Sequence, residues 1–136
     1  NFQMKQIFLL SVLSILCFYS CSTLEEDCLC TAEYRFYLVT IVDTLGVPVD
    51  SLAVTIKDKD GGELSVQQET NIFGAGKYTV LTDSFAKMFC SCGTPGKIYF
   101  TATDSIRTAS GEYFFNTDEC KCRINKISGQ DTLVLK

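Results

Sequence analysis

Three pairs of cysteines, each with one residue between its members, are spread far apart along this chain: Cys28 and Cys30, Cys90 and Cys92, Cys120 and Cys122. Any fold the chain adopts has to place these thiols, and their chemistry depends on the compartment. In an extended segment, residues two apart point the same way. A bridge within one pair would close a very small, strained ring. Six cysteines allow fifteen pairings, and once those with an internal bridge are set aside, every remaining pairing links each pair to both of the others. The expectation is three disulfides between different pairs, tying three separate segments together. Bridges closing loops this long contribute about 2–4 kcal/mol each. The competing expectation puts the same six cysteines, Cys28, Cys30, Cys90, Cys92, Cys120 and Cys122, around zinc or an iron–sulfur centre as thiolates. Zinc sites more often use Cys-x-x-Cys spacing, and thiols in an oxidising compartment tend to pair. A redox-active exchange site is less favoured still, because no Cys-x-x-Cys motif lies near a helix.

The start of the chain supplies the compartment. Asn1, Phe2 and Gln3 read as extra residues upstream of a start at Met4. Lys5 is followed by IFLLSVLSILCFY (7–19), an apolar run without charge. The run is shorter than the roughly 20 residues that span a bilayer and matches the core of a signal peptide. It ends in FYSC, where Ser20 precedes Cys21. This resembles the lipobox of bacterial lipoproteins, in which a small residue stands before a cysteine that is lipidated and becomes the first residue of the mature chain. The resemblance implies a signal peptide over 1–20, lipidation at Cys21 and a tether over 21–32. Cys17 is the poorer candidate, since Leu16 before it is too large. The acidic run Glu25-Glu26-Asp27 resembles the export signal of Bacteroidetes lipoproteins sent to the cell surface. The implied location is therefore the outer membrane, surface-exposed or otherwise facing the periplasm. With Cys17 removed and Cys21 lipidated, the three Cys-x-Cys pairs are what remains of the eight cysteines.

From Glu33 on, strands alternate with turns and no helix stands out. YRFYLVTIV (34–42) is apolar on both faces and reads as a strand buried from both sides. In SLAVTIKD (51–58), Leu52, Val54 and Ile56 share one face, and Ala53, Thr55 and Lys57 the other. Asp60-Gly61 is a hairpin signal. ELSVQQET (63–70) reads as a polar edge strand, GKYTVLT (76–82) as a strand, and SFAKMFC (84–90) as a strand or short helix. GKIYFTATD (96–104) puts Ile98, Phe100 and Ala102 on one face and pairs with GEYFFN (111–116). DTLVLK (131–136) closes the chain. About seven short strands at this spacing predict a single all-β sandwich over 33–136. The antiparallel pairing of 96–104 with 111–116 would bring Cys90/Cys92 and Cys120/Cys122 to one end of it, within reach of the tether pair.

VDTLGVPVDSLAVTI resembles the opening of carboxypeptidase-regulatory-like domains, with Asp43, Gly46, Pro48 and Val49 followed by the alternating Ala53, Val54 and Ile56. Thr70, Asn71, Gly76 and Tyr78 continue the likeness, with two residues too many between them, and the closing TLVL strand is also typical. The resemblance implies an Ig-/transthyretin-like β-sandwich, a module common in Bacteroidetes surface proteins. It concerns turns and core, and says almost nothing of chemistry.

Composition excludes most enzymatic machinery. The sequence has no histidine, so no Ser-His-Asp or Cys-His arrangement exists. Its glycines sit in turns rather than in a phosphate-binding loop. Asp58, Asp60 and Glu63 around Gly61 lack the remaining ligands of a calcium loop and read as a hairpin turn. A net charge of −4 without a basic cluster argues against nucleic acid. Tryptophan is absent, and Tyr34, Tyr37, Tyr78 and Tyr99 fall in strands as core or rim packing. The sequence therefore predicts a non-catalytic envelope lipoprotein without a cofactor, a binding or structural accessory held at the membrane by its lipid, with an unidentified protein or glycan partner. The alternative is a thiolate metal-binding or redox-active lipoprotein.

Overall fold

The computed structural model describes residues 28–136; the signal segment, Cys21 and the acidic run lie outside them. Seven strands form two sheets. They are β1 (Phe36–Val42), β2 (Ala53–Asp58), β3 (Lys77–Thr82), β4 (Gly96–Thr103), β5 (Thr108–Thr117), β6 (Ile124–Ser128) and β7 (Thr132–Val134). One sheet has the order β3-β1-β7 and the other β2-β4-β5-β6. Within the first, β1 runs antiparallel to β3 and parallel to β7; all pairings in the second are antiparallel. The chain is an all-β sandwich of two sheets, as the strand pattern predicts.

Period-two alternation explains which side chains fill the space between the sheets. Ile98, Phe100 and Ala102 of β4 are buried, with Ile56 of β2 beside them and Ala109, Tyr113 and Phe115 arriving from β5. Val39 and Ile41 of β1 and Leu133 of β7 meet them from the other sheet. β1 is central in its sheet, yet it is not buried from both sides: Leu38, Thr40 and Val42 are only half-covered and Phe36 is 39% exposed. Among the described residues no further sheet covers its outer face, and Phe36 meets the Tyr34 and Phe73 rings there. Gly111 interrupts β5 because a Cβ there would stand 3.1 Å from the Leu133 side chain and 3.2 Å from the Tyr113 ring. A larger residue would force the Leu133 and Tyr113 side chains to shift.

Turns are held by aspartates that accept hydrogen bonds from their own backbone, an arrangement that substitutes for strand pairing where the chain reverses. Asp43 Oδ1 accepts from the N–H groups of Leu45 and Val47, around Gly46 at φ +80°. Asp58 Oδ1 accepts from Asp60 and Gly62 at 2.9 and 2.8 Å. The 58–63 segment is thus a turn, its carboxylate already engaged. Asp104 and Asp118 repeat the device in the β4–β5 and β5–β6 hairpins.

Residues 63–70 differ from the expected edge strand. Glu63 makes one isolated bridge with Lys57, Leu64 and Val66 pack on the core, and a single helical turn follows at Thr70–Phe73. The edge of β3 is satisfied instead by a side chain. Gln68 donates through Nε2 to the Thr79 carbonyl at 2.8 Å and accepts the Thr79 N–H on Oε1 at 2.9 Å. One amide side chain thereby stands in for a strand partner. The 84–90 segment, open between strand and helix in the sequence, is a 3-10 helix over Asp83–Met88.

Candidate functional site at the cysteine end

The start of β1, the end of β3, the start of β4, the end of β5 and the start of β6 converge at one end of the sandwich. Asp83 holds this end together. Its Oδ2 accepts the Arg35 N–H at 2.8 Å, just ahead of β1, and its Oδ1 accepts the Ile124 N–H at 2.9 Å, the first residue of β6. One buried carboxylate therefore ties the two sheets through their backbones. Tyr37 adds a second tie, its hydroxyl donating to the Ile124 carbonyl at 3.0 Å. Tyr34 donates to Thr82 Oγ1 at 2.8 Å and also meets Ser84. Tyr34 and Tyr99 are 48% and 38% exposed, so they are rim residues, whereas Tyr78 is core.

All three cysteine pairs are at this end. Cys28 is bonded to Cys120 and Cys30 to Cys122, each with 5.4 Å between alpha carbons. Both bridges span 92 residues, so the tether lies alongside the β5–β6 turn in parallel register, with equal spacing on the two segments. Arg123 adds polar contacts to Thr31 of the same tether and to Glu33 just after it. The turn itself is shaped by Asp118, whose Oδ1 accepts the Cys122 N–H at 2.7 Å, and by Lys121 at φ +52°. Cys90 comes to the same place through its backbone: its carbonyl accepts the N–H of Thr117, the last residue of β5, at 3.3 Å.

Bridging therefore runs between different pairs, but it does not form the expected three-bridge ring. The first and third pairs are linked twice, and Cys90 and Cys92 are unbonded and exposed. The expectation failed because it required every cysteine to be oxidised to a partner outside its own pair. A double link between two pairs leaves the third with only itself, and it was eliminated on that ground. The sequence did carry a signal for the observed pairing, since matched one-residue spacings allow two bridges side by side. The thiolate alternative is altered by the same connectivity. Sulfurs of Cys28, Cys30, Cys120 and Cys122 are spent in disulfides, and among the described residues no group of three or more His, Cys, Asp or Glu is arranged to hold a metal ion.

A shallow cleft of about 290 Å³ lies next to this end, lined by Asp58, Asp60, Met88, Phe89, Lys97 and Ile98. Lys59 also lines the cleft, and Oδ1 of Asp58 is turned to its own loop. Fold and site together define a small all-β domain clasped to its own N-terminal tether by paired disulfides. No family model, curated protein or solved structure matches the chain.

Proposed function

We propose that the protein is a non-catalytic lipoprotein of the bacterial cell envelope, anchored in the outer membrane through lipid on Cys21 and exposed at the surface or facing the periplasm. In this reading it is a binding or structural accessory with a protein or glycan partner, and its sandwich is a transthyretin-like module akin to carboxypeptidase-regulatory-like domains. The observation that carries the reading is the clasp. Disulfides belong to oxidising compartments, and both bridges fasten residues that follow Cys21 by only a few positions. An anchor so close to a bolted segment would fix the orientation of the whole domain on the membrane. A non-catalytic role is supported by the lack of histidine and by the use of Asp43, Asp58, Asp83, Asp104 and Asp118 as acceptors for backbone amides.

The test is lipid incorporation. Cys21→Ala should accumulate as unprocessed precursor and take up no labelled palmitate, and normal labelling of that variant would overturn the anchor. The metal- or redox-active alternative is separated from this reading by elemental analysis and thiol counting on protein purified without reductant. Bound metal, or more than two free thiols among the three Cys-x-Cys pairs, would favour the alternative.

A further inference from the structure

Cys90 and Cys92 are the part of the cysteine end that the clasp leaves unused. Their segment is a short loop between the 3-10 helix and β4. Phe89 is buried, with its ring 6.0 Å from that of Phe115, and the Cys90 carbonyl is held by Thr117. Beyond Cys90, no hydrogen bond among the described residues fixes Ser91–Pro95, and Ser91 through Thr94 are exposed. Thr117, which holds Cys90, directly precedes the turn bearing Cys120 and Cys122. Two residues of extended chain reach about 7 Å, so Cys92 can swing that far about the fixed Cys90–Thr117 contact, while Cys120 is held in the turn that Asp118 shapes. Bonded cysteines need alpha carbons about 4.4–6.8 Å apart, so exchange requires the exposed Ser91–Thr94 stretch to carry Cys92 onto the neighbouring turn.

We propose that Cys90-Ser91-Cys92 is a thiol–disulfide exchange site whose substrate is the clasp on the tether, with Cys92 as the attacking thiol. Cys92 gives its proton to solvent and its thiolate attacks Sγ of Cys120, which follows Thr117 in the adjacent turn; both cysteines of the Cys28–Cys120 bridge are exposed, whereas Cys122 of the other bridge is half-buried. The Cys92–Cys120 bond forms as the Cys28–Cys120 bond breaks. Cys28 leaves as a thiolate and takes a proton from solvent. One disulfide is exchanged for another, so no oxidant or reductant is consumed. The tether is then held by Cys30–Cys122 alone, and the Cys28 thiol becomes available for exchange with a partner disulfide. The inference rests on connectivity and position, and it stands whether or not Cys21 carries lipid.

The experiment maps disulfides by mass spectrometry after moving the protein from acid, which quenches thiol–disulfide exchange, to mildly alkaline pH, which permits it, with samples trapped by alkylation over time. A Cys92–Cys120 peptide should appear together with alkylated Cys28. It should persist in Cys90→Ser and vanish in Cys92→Ser, both substitutions being at exposed positions that leave the far-ultraviolet circular dichroism unchanged. Finding only Cys28–Cys120 and Cys30–Cys122 at all times, or an internal Cys90–Cys92 bridge beside an intact clasp, would overturn the proposal. Exchange that survives in Cys92→Ser would overturn the assignment of the attacking thiol.

Discussion

At the scale of single residues, Asp83 concentrates more of the architecture than any hydrophobic side chain. It is 9% exposed and spends both carboxylate oxygens on backbone donors that no strand pairing serves, one beside each sheet. Removing it leaves the buried Ile124 N–H and the part-buried Arg35 N–H without their partner, a loss of about 1–3 kcal/mol for a fully buried group and less where water reaches it. Asp83→Ala should therefore destabilise the domain by about 2–4 kcal/mol in urea denaturation. Asp83→Asn should fall between that and wild type, because its carbonyl oxygen serves one donor while its amide group faces the other. An alanine variant within about 0.5 kcal/mol of wild type, the range of ordinary surface substitutions, would show that solvent replaces the carboxylate freely. Nothing in DSFAKM distinguishes this aspartate from a polar helix start, since its partners lie 48 and 41 positions away. The aspartate at the 58–63 turn was more visible. Asp60-Gly61 marked the turn, although the working acceptor is Asp58.

At the scale of elements, the β4–β5 hairpin carries a pH dependence. The Arg107 backbone N–H, its guanidinium and the Ile106 N–H together hold the Asp104 carboxyl at about 2, below its ordinary 3.8. A carboxyl whose folded value is depressed contributes stability above its unfolded value, and the contribution is lost as pH falls through the folded value. Asp104→Ala should accordingly be less stable than wild type at neutral pH, and the gap should close between about pH 4 and pH 2. Stability measured across that acid range checks this, and a gap independent of pH would mean the turn gains nothing from the ionised form. Elements with strong alternation were legible in the sequence. Ile98, Phe100 and Ala102 of β4 are inside as predicted, and so is Ile56 of β2. β6 was missed, because only Ile124 of Ile124–Ser128 is buried and one inward side chain gives no period. β5 begins earlier than GEYFFN indicated: Asp104 makes a tight turn with Arg107, and Thr108–Ser110 can then pair with Thr101–Thr103. The 63–70 segment alternates like a strand, but the Gln68 amide occupies the β3 edge in place of backbone.

For the molecule as a whole, the parallel clasp makes its two bridges unequal partners in stability. Chain entropy gives a lone bridge across either 92-residue separation about 4–5 kcal/mol. Once one bridge exists, the second closes only the small ring of Cys28, Leu29, Cys30, Cys122, Lys121 and Cys120. By the same relation a ring that small is worth about 2 kcal/mol. Either bridge can therefore be lost cheaply while the other remains, and losing both costs more than twice the loss of one. In a Cys90→Ser, Cys92→Ser background that prevents exchange, Cys28→Ala with Cys120→Ala should cost about 2 kcal/mol, as should Cys30→Ala with Cys122→Ala. All four substitutions together should cost about 6–7 kcal/mol, comparable to the entire stability of a small domain. Equilibrium denaturation of the three variants measures the difference. Strict additivity would show that the bridges stabilise through local native contacts at the turn rather than by restraining the unfolded chain. Super-additive loss would show that the matched Cys-x-Cys spacing supplies redundancy, so that a domain with one clasp bridge open, as exchange by Cys92 would leave it, remains folded.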